Sequence, residues 1–243
     1  MSGFSDGWRW GELAGLAALA LLLFVLWQIP GVGFVVYPFR LFGTFVHEIS
    51  HGLAALATGG DFHRFTVSPD LSGLAWSAGG WRWVISSAGY IGSAVFGGVL
   101  ILLAARGAAS RVLLMILGIA LGLLCLLFVR NLFGIVGGLA LAAATFFAGY
   151  RLRPPWSDAM LLVLALQLVL DGFNSLLTLL RLSAASTVQT DALSMAQATG
   201  IPALIWSLVW AAISAAVLGF TLYLAYRRRA APAAANAGPG RLS

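Results

Sequence analysis

Residues 45–56 read FVHEISHGLAAL, so two histidines and a glutamate stand in an otherwise apolar run. The 243-residue chain holds only three histidines, and its glutamates are Glu12 and Glu48 alone. On an α-helix four residues advance by about 400°, which puts His47 and His51 about 40° apart on one face, within reach of a single metal ion. Glu48 projects about 60° from His51, near enough to touch a metal-held water without displacing a ligand. The pattern HExxH thus supplies two zinc ligands and a general base. With this chain's own residue frequencies, about 3 matches in 10,000 such chains would arise by chance. Charge at mid-membrane costs roughly 2.5–3.5 kcal/mol on insertion scales. A bound cation offsets that cost.

A catalytic zinc takes a third protein ligand and keeps one position open. Remaining groups of the right type include Glu12, Asp61, His63, Asp70, Asp158, Asp171 and Asp191. Most fall in loops or at the ends of apolar runs. Asp171 lies deep in LALQLVLDGFNSLLTLL, where an ionisable side chain is a functional hypothesis by default. It is the expected third ligand, completing His47, His51 and Asp171 around one Zn2+. Asp191, in the polar connection 182–200, is the rival. His63, beside Asp61 and Arg64, reads as an ordinary solvated or interfacial histidine. Asn174 follows Asp171 by about 60° on the same helix, placed to bond a substrate backbone, a ligand or a neighbouring helix. Gly172 would permit close backbone approach or a local break.

These groups need helices to hold them, and the composition says where. The chain is 60% hydrophobic and 9% charged, with a mean hydropathy of +0.95, against about 25% charged residues in soluble domains. It is expected to be an integral membrane protein, an all-α polytopic helical bundle. Candidate spans are about 11–28, 36–58, 84–104, 112–129, 132–150, 159–180 and 202–226, each near the roughly 20 residues a bilayer requires. Six or seven spans are allowed, because Pro38 could open the second helix rather than lie within it. The apolar run near the N-terminus reads as a retained span, not a cleaved signal. Residues 60–80 mix β-branched and aromatic residues with turn signals and predict a small β-hairpin-like insertion. Residues 182–200 predict a short amphipathic helix. One domain, 1–226 with its core at 37–226, accounts for the pattern, followed by a basic, disordered tail at 227–243.

All 14 basic residues are arginines, for a net charge of +6. They sit between apolar runs, as orientation signals do, which argues against a nucleic-acid partner. RGAASR (106–111), RLRPP (151–155) and YRRR (226–229) fall on one side of a seven-span bundle, with Arg9, Arg64, Arg82, Arg130 and Arg181 on the other. The positive-inside rule then places the C-terminus in the cytoplasm. Small residues recur at four-residue spacing: Gly89, Ser93 and Gly97; Gly118 and Gly122; Gly134 and Gly138. Such stripes let helices approach closely, and the first also stands to line the site at Gly89. Cys125, in LGLLCLLFV, has no partner for an intrachain disulfide and reads as a small hydrophobe.

HEISH at 47–51 and LDG at 170–172 resemble the site-2 protease-like intramembrane zinc metallopeptidases. SPDLSGLAW (68–76), SAGYIGSAVFGG (87–98) and TGIPALIWSLVW (199–210) are similar to their compact bacterial peptidase M-fifty-B-like branch. The resemblance covers most of residues 37–226. It implies zinc on His47, His51 and Asp171, Glu48 as base, and a strand-like 60–80 region that receives an extended substrate by β-addition. The expected activity is hydrolysis of peptide bonds in membrane-protein or peptide substrates, in a bacterial plasma membrane. The alternative is a non-proteolytic zinc-binding module that keeps the metal site. A transporter would show internal repeats, and none is evident.

Overall fold

The computed structural model describes residues 9–29, 31–181 and 190–227. Eight helices and one hairpin follow in the order α1 (Trp10–Gln28), α2 (Gly33–Ala57), β1 (Asp61–Val67), β2 (Gly73–Ala78), α3 (Arg82–Ala105), α4 (Ser110–Phe128), α5 (Leu132–Arg151), α6 (Trp156–Arg181), α7 (Asp191–Thr199) and α8 (Ala203–Tyr226). The chain is therefore mostly helical with a small two-stranded sheet. Among the described residues five helices, α1, α3, α4, α5 and α8, are long and apolar enough to cross a membrane. The equally long α2 carries Arg40, His47, Glu48 and His51, which lower its hydropathy. The short helix expected within 182–200 is α7. Of the expected tail, all but Arg227 lies outside the described residues.

Of the two roles open to Pro38 the structure shows the second: α2 begins at Gly33 and Pro38 lies inside it. One expectation is corrected. Arg9 does not lie on the arginine-poor side. Its backbone N–H donates to the Tyr226 carbonyl and its guanidinium to the Ala105 carbonyl, so α1 begins where α3 and α8 end. Arg111 donates to the carbonyls of Gly149 and Tyr150 at that same end of the bundle. Hydropathy marks spans but carries no information about which helix ends meet.

α3 is the central element, packed on α2, α6 and α8. Its small-residue face makes this possible. A Cβ on Gly97 would overlap the Ala165 carbonyl of α6, and one on Gly98 would overlap Thr221 of α8. Gly118 serves α4 and α5 in the same way against Phe146. Cys125 is buried, packed in the main core with Phe45 and Phe65. A second, separate core joins Ala192 and Met195 of α7 to Trp210 of α8, with Tyr90 and Ile91 of α3 against it.

The hairpin lies against α2. Its strands pair antiparallel, with a bulge between Phe62 and Arg64, which leaves His63 exposed on β1. β1 buries Phe62, Phe65 and Val67. Its far edge is closed by the link between α4 and α5: Arg130 N–H donates to the Phe65 carbonyl at 3.1 Å. Asn131 accepts from Val67 N–H at 3.2 Å and donates to its carbonyl at 2.7 Å. Asn131→Ala leaves both Val67 groups without these partners. It should cost about 1–3 kcal/mol, read as a lower unfolding midpoint in detergent with the helical content unchanged.

Candidate metal centre

His47, Glu48 and His51 are all buried, 9%, 5% and 6% exposed. α2 holds the two imidazoles on one side, their ring centroids 4.8 Å apart. His51 donates from Nδ1 to the Ile85 carbonyl of α3 at 2.6 Å. His47 Nδ1 lies 2.9 Å from Asp171 Oδ2 on α6. With both Nδ1 positions engaged as donors, each ring presents its Nε2 lone pair on the opposite side.

Both Nε2 atoms face one carboxylate oxygen. Asp191 Oδ2 stands 3.0 Å from His47 Nε2 and 3.4 Å from His51 Nε2. Three lone-pair donors thus converge on one point, an arrangement that needs a shared proton or a cation between them. Ligand edges of about 3.3 Å follow from zinc bonds of about 2.0–2.1 Å in tetrahedral geometry. The Asp191 distances match that spacing, and the ligand atoms of His47, His51 and Asp191 all lie within 4.8 Å of one another. The group could hold a metal.

Asp191 reaches the site because α7 is fixed at its first turn. Thr190 caps the helix, its hydroxyl accepting from Leu193 N–H at 3.1 Å. Met195 and Ala192 then anchor α7 against Trp210. Tyr90 stacks on Trp210 at 4.9 Å and meets the His47 ring edge-on at 4.5 Å. The second core therefore supports a ligand and an imidazole together.

Of the residues singled out from the sequence, the structure gathers His47, Glu48, His51, Asp171 and Gly89. Asp171 meets His47 at Nδ1, the side away from the converging lone pairs, while Asp191 takes the Nε2 side. Gly172 and Asn174 are described only as backbone of α6, and their surroundings lie outside what the structure describes. Gly89 faces His47, and a Cβ there would overlap the imidazole. Gly73 of β2 stands in the same relation to the Glu48 carboxylate. Gly89→Ala should therefore displace the His47 ring and lower metal binding at least tenfold, measured by metal content after dialysis against a chelator of graded strength. Gly73 and Tyr90 escaped sequence reading. The only local sign of Gly73 is its place after the turn residues SPDLS.

A Peptidase M50B-like family model matches residues 16–221. The chain belongs to the Peptidase M50B-like family. No curated protein and no solved structure matches it. Membership in this M50B-like family makes the chain an integral membrane protein of a peptidase family, consistent with its five apolar helices.

Proposed function

We propose that this M50B-like protein is an intramembrane zinc endopeptidase that hydrolyses membrane-protein or peptide substrates. The observation that carries the reading is the convergence of two Nε2 lone pairs and the Asp191 carboxylate beside the buried Glu48. His47, His51 and Asp191 would hold the ion, with Asp171 fixing the His47 ring through Nδ1. The sequence-derived set of His47, His51 and Asp171 differs only in which carboxylate faces the ion. When bound, zinc lowers the pKa of its water towards about 7 and polarises a carbonyl.

The chain's own residues supply the rest. Glu48 accepts the proton of the attacking water and delivers it to the leaving amine. Gly73, without a Cβ, lets β2 lie directly against its carboxylate. β2 offers the edge that is open among the described residues to an extended peptide, since β1's far edge is already closed by Arg130 and Asn131. A helical substrate must unwind to pair there, because a helix keeps its carbonyls in its own hydrogen bonds.

The arginine-rich end holds Arg9, Arg106, Arg111, Arg151, Arg153 and Arg227, and faces the cytoplasm with the C-terminus. Arg9 lies at the same end as Tyr226, which favours an even number of crossings, six rather than seven. Gly89, the neighbour of His47, is roughly 24 Å along α3 from Ala105 and roughly 10 Å from Arg82 at 1.5 Å per residue. Water and substrate thus reach the site from the arginine-poor end.

The direct test combines metal analysis of the purified protein with a screen of membrane peptides for cleavage. One zinc per chain with cleavage supports the proposal. Zinc without cleavage of any peptide supports the binding-module alternative, and no zinc removes both.

A further inference from the structure

We propose that Gln167 is a positioning residue of the metal centre: through one bound water, its amide holds the Asp171 carboxylate against His47 Nδ1. This rests on the metal site of the proposed function and not on cleavage. It is tested by metal affinity and by the signal of the His47 ring.

α6 is buried on every side over residues 164–169, and all but one of those side chains are apolar. The exception is Gln167. It is only 3% exposed, and its Oε1 has no hydrogen-bond partner among the described residues. An unpaired buried polar atom costs about 1–3 kcal/mol, a cost that native proteins commonly remove with a buried water. A leucine here would match the rest of the row at no such cost. The amide is therefore a candidate for a role beyond packing.

Its place on the helix says what that role is. Asp171 follows Gln167 by four residues, so the two lie on one face of α6, about 40° apart and about 6 Å along its axis. α2 repeats the spacing, with Gly43 one turn before His47. The two pairs stack: Asp171 Oδ2 lies 2.9 Å from His47 Nδ1, and a Cβ on Gly43 would stand 3.9 Å from Gln167 Cγ and 4.0 Å from its Nε2. Gln167 is thus one turn along from the His47–Asp171 contact, between the same two helices. Its Oε1 and the Asp171 carboxylate are both acceptors and cannot bond each other. A water carries two O–H donors and serves both. The Asp171 side chain is 19% exposed, so water reaches this carboxylate. The bridge fixes the plane of the carboxylate and with it the His47 ring, whose Nε2 must stay turned toward Asp191 at 3.0 Å.

The test uses the full-length protein in detergent, zinc affinity measured against graded chelators, and isotope-labelled histidine. Gln167→Leu keeps the bulk of the side chain and removes its polar atoms. It should lower zinc affinity about tenfold, the small end of the 10–100-fold range for outer-shell partners. In the Asp171→Ala background the same change should cost no more than about twofold, since a residue that acts through Asp171 then has nothing to act through. The His47 Nδ1 resonance should move in Gln167→Leu, while that of His51, held by the Ile85 carbonyl, stays. Zinc affinity within about twofold of the unaltered protein overturns the proposal. An equal loss in both backgrounds also overturns it, by marking a packing effect. A Gln167→Leu protein that does not fold assigns the amide to the fold and overturns it as well. Absence of zinc from the unaltered protein overturns the metal reading and this one together. An Asp171-dependent loss of affinity in a protein that cuts no peptide supports the positioning role and counts against the peptidase reading.

Discussion

Replacing Glu48 with Gln is expected to lower peptide cleavage at least about a thousandfold while zinc stays bound. General acid–base catalysis contributes about 10²–10⁴-fold, and Gln keeps the shape of the side chain but cannot accept the water's proton. Glu48 is only 5% exposed and lies against the Gly73 backbone, so an isosteric change fits without repacking. The three converging ligand atoms belong to His47, His51 and Asp191, none of which the substitution replaces. Two readouts are therefore required together: zinc by elemental analysis, and cleavage of a reporter spanning a membrane segment. In cells, the membrane proteins that accumulate in the Glu48→Gln strain identify substrates. Cleavage that persists in the zinc-loaded variant would remove Glu48 from the mechanism.

The second large effect separates the two carboxylates. Asp191→Ala removes the group that faces both Nε2 atoms and should weaken zinc binding by at least about a hundredfold. Asp171→Asn leaves the three converging groups in place but withdraws the charged partner of His47 Nδ1. Changes at such outer-shell partners typically cost 10–100-fold in metal affinity or activity, so its loss should be the smaller. Cobalt substituted for zinc provides a second reading through its ligand-field spectrum. Asp191→Ala should change that spectrum and Asp171→Asn should largely preserve it. The reverse order, in affinity and in spectrum, would return Asp171 to the ligand position expected from the sequence and make Asp191 its accessory.

Several parts of this architecture were legible in the chain. The spacing of His47, Glu48 and His51 fixes their relative directions on any helix, because helical geometry is local. The isolation of Asp171 in an apolar run singled it out as the expected third ligand, and the structure places its carboxylate 2.9 Å from His47 Nδ1 instead of beside the two Nε2 atoms. The hairpin at 60–80 was announced by β-branched residues and turn residues, which respond to local backbone preference. His63 lies exposed on β1, consistent with its reading as solvated.

Other features depend on contacts between distant segments. Asp191 was weighed only as a rival ligand, because a carboxylate in a polar connection looks solvated until α7 is packed on Trp210. Arg9 was assigned to the wrong end because hydropathy gives the length of a helix and not the neighbour at its tip.

The sequence by itself determined that this is a membrane protein carrying an HExxH pair of imidazoles with an adjacent carboxylate, since helical period and apolar run length are properties of consecutive residues. Only the tertiary structure decided which aspartate faces the imidazole lone pairs, which strand edge is open and which helix ends meet. Those answers depend on close packing at Gly89, Gly97 and Gly98 between α3 and its neighbours, and on the small core that holds α7. Packing of that kind joins residues far apart in the chain, and their spacing in sequence carries no trace of it.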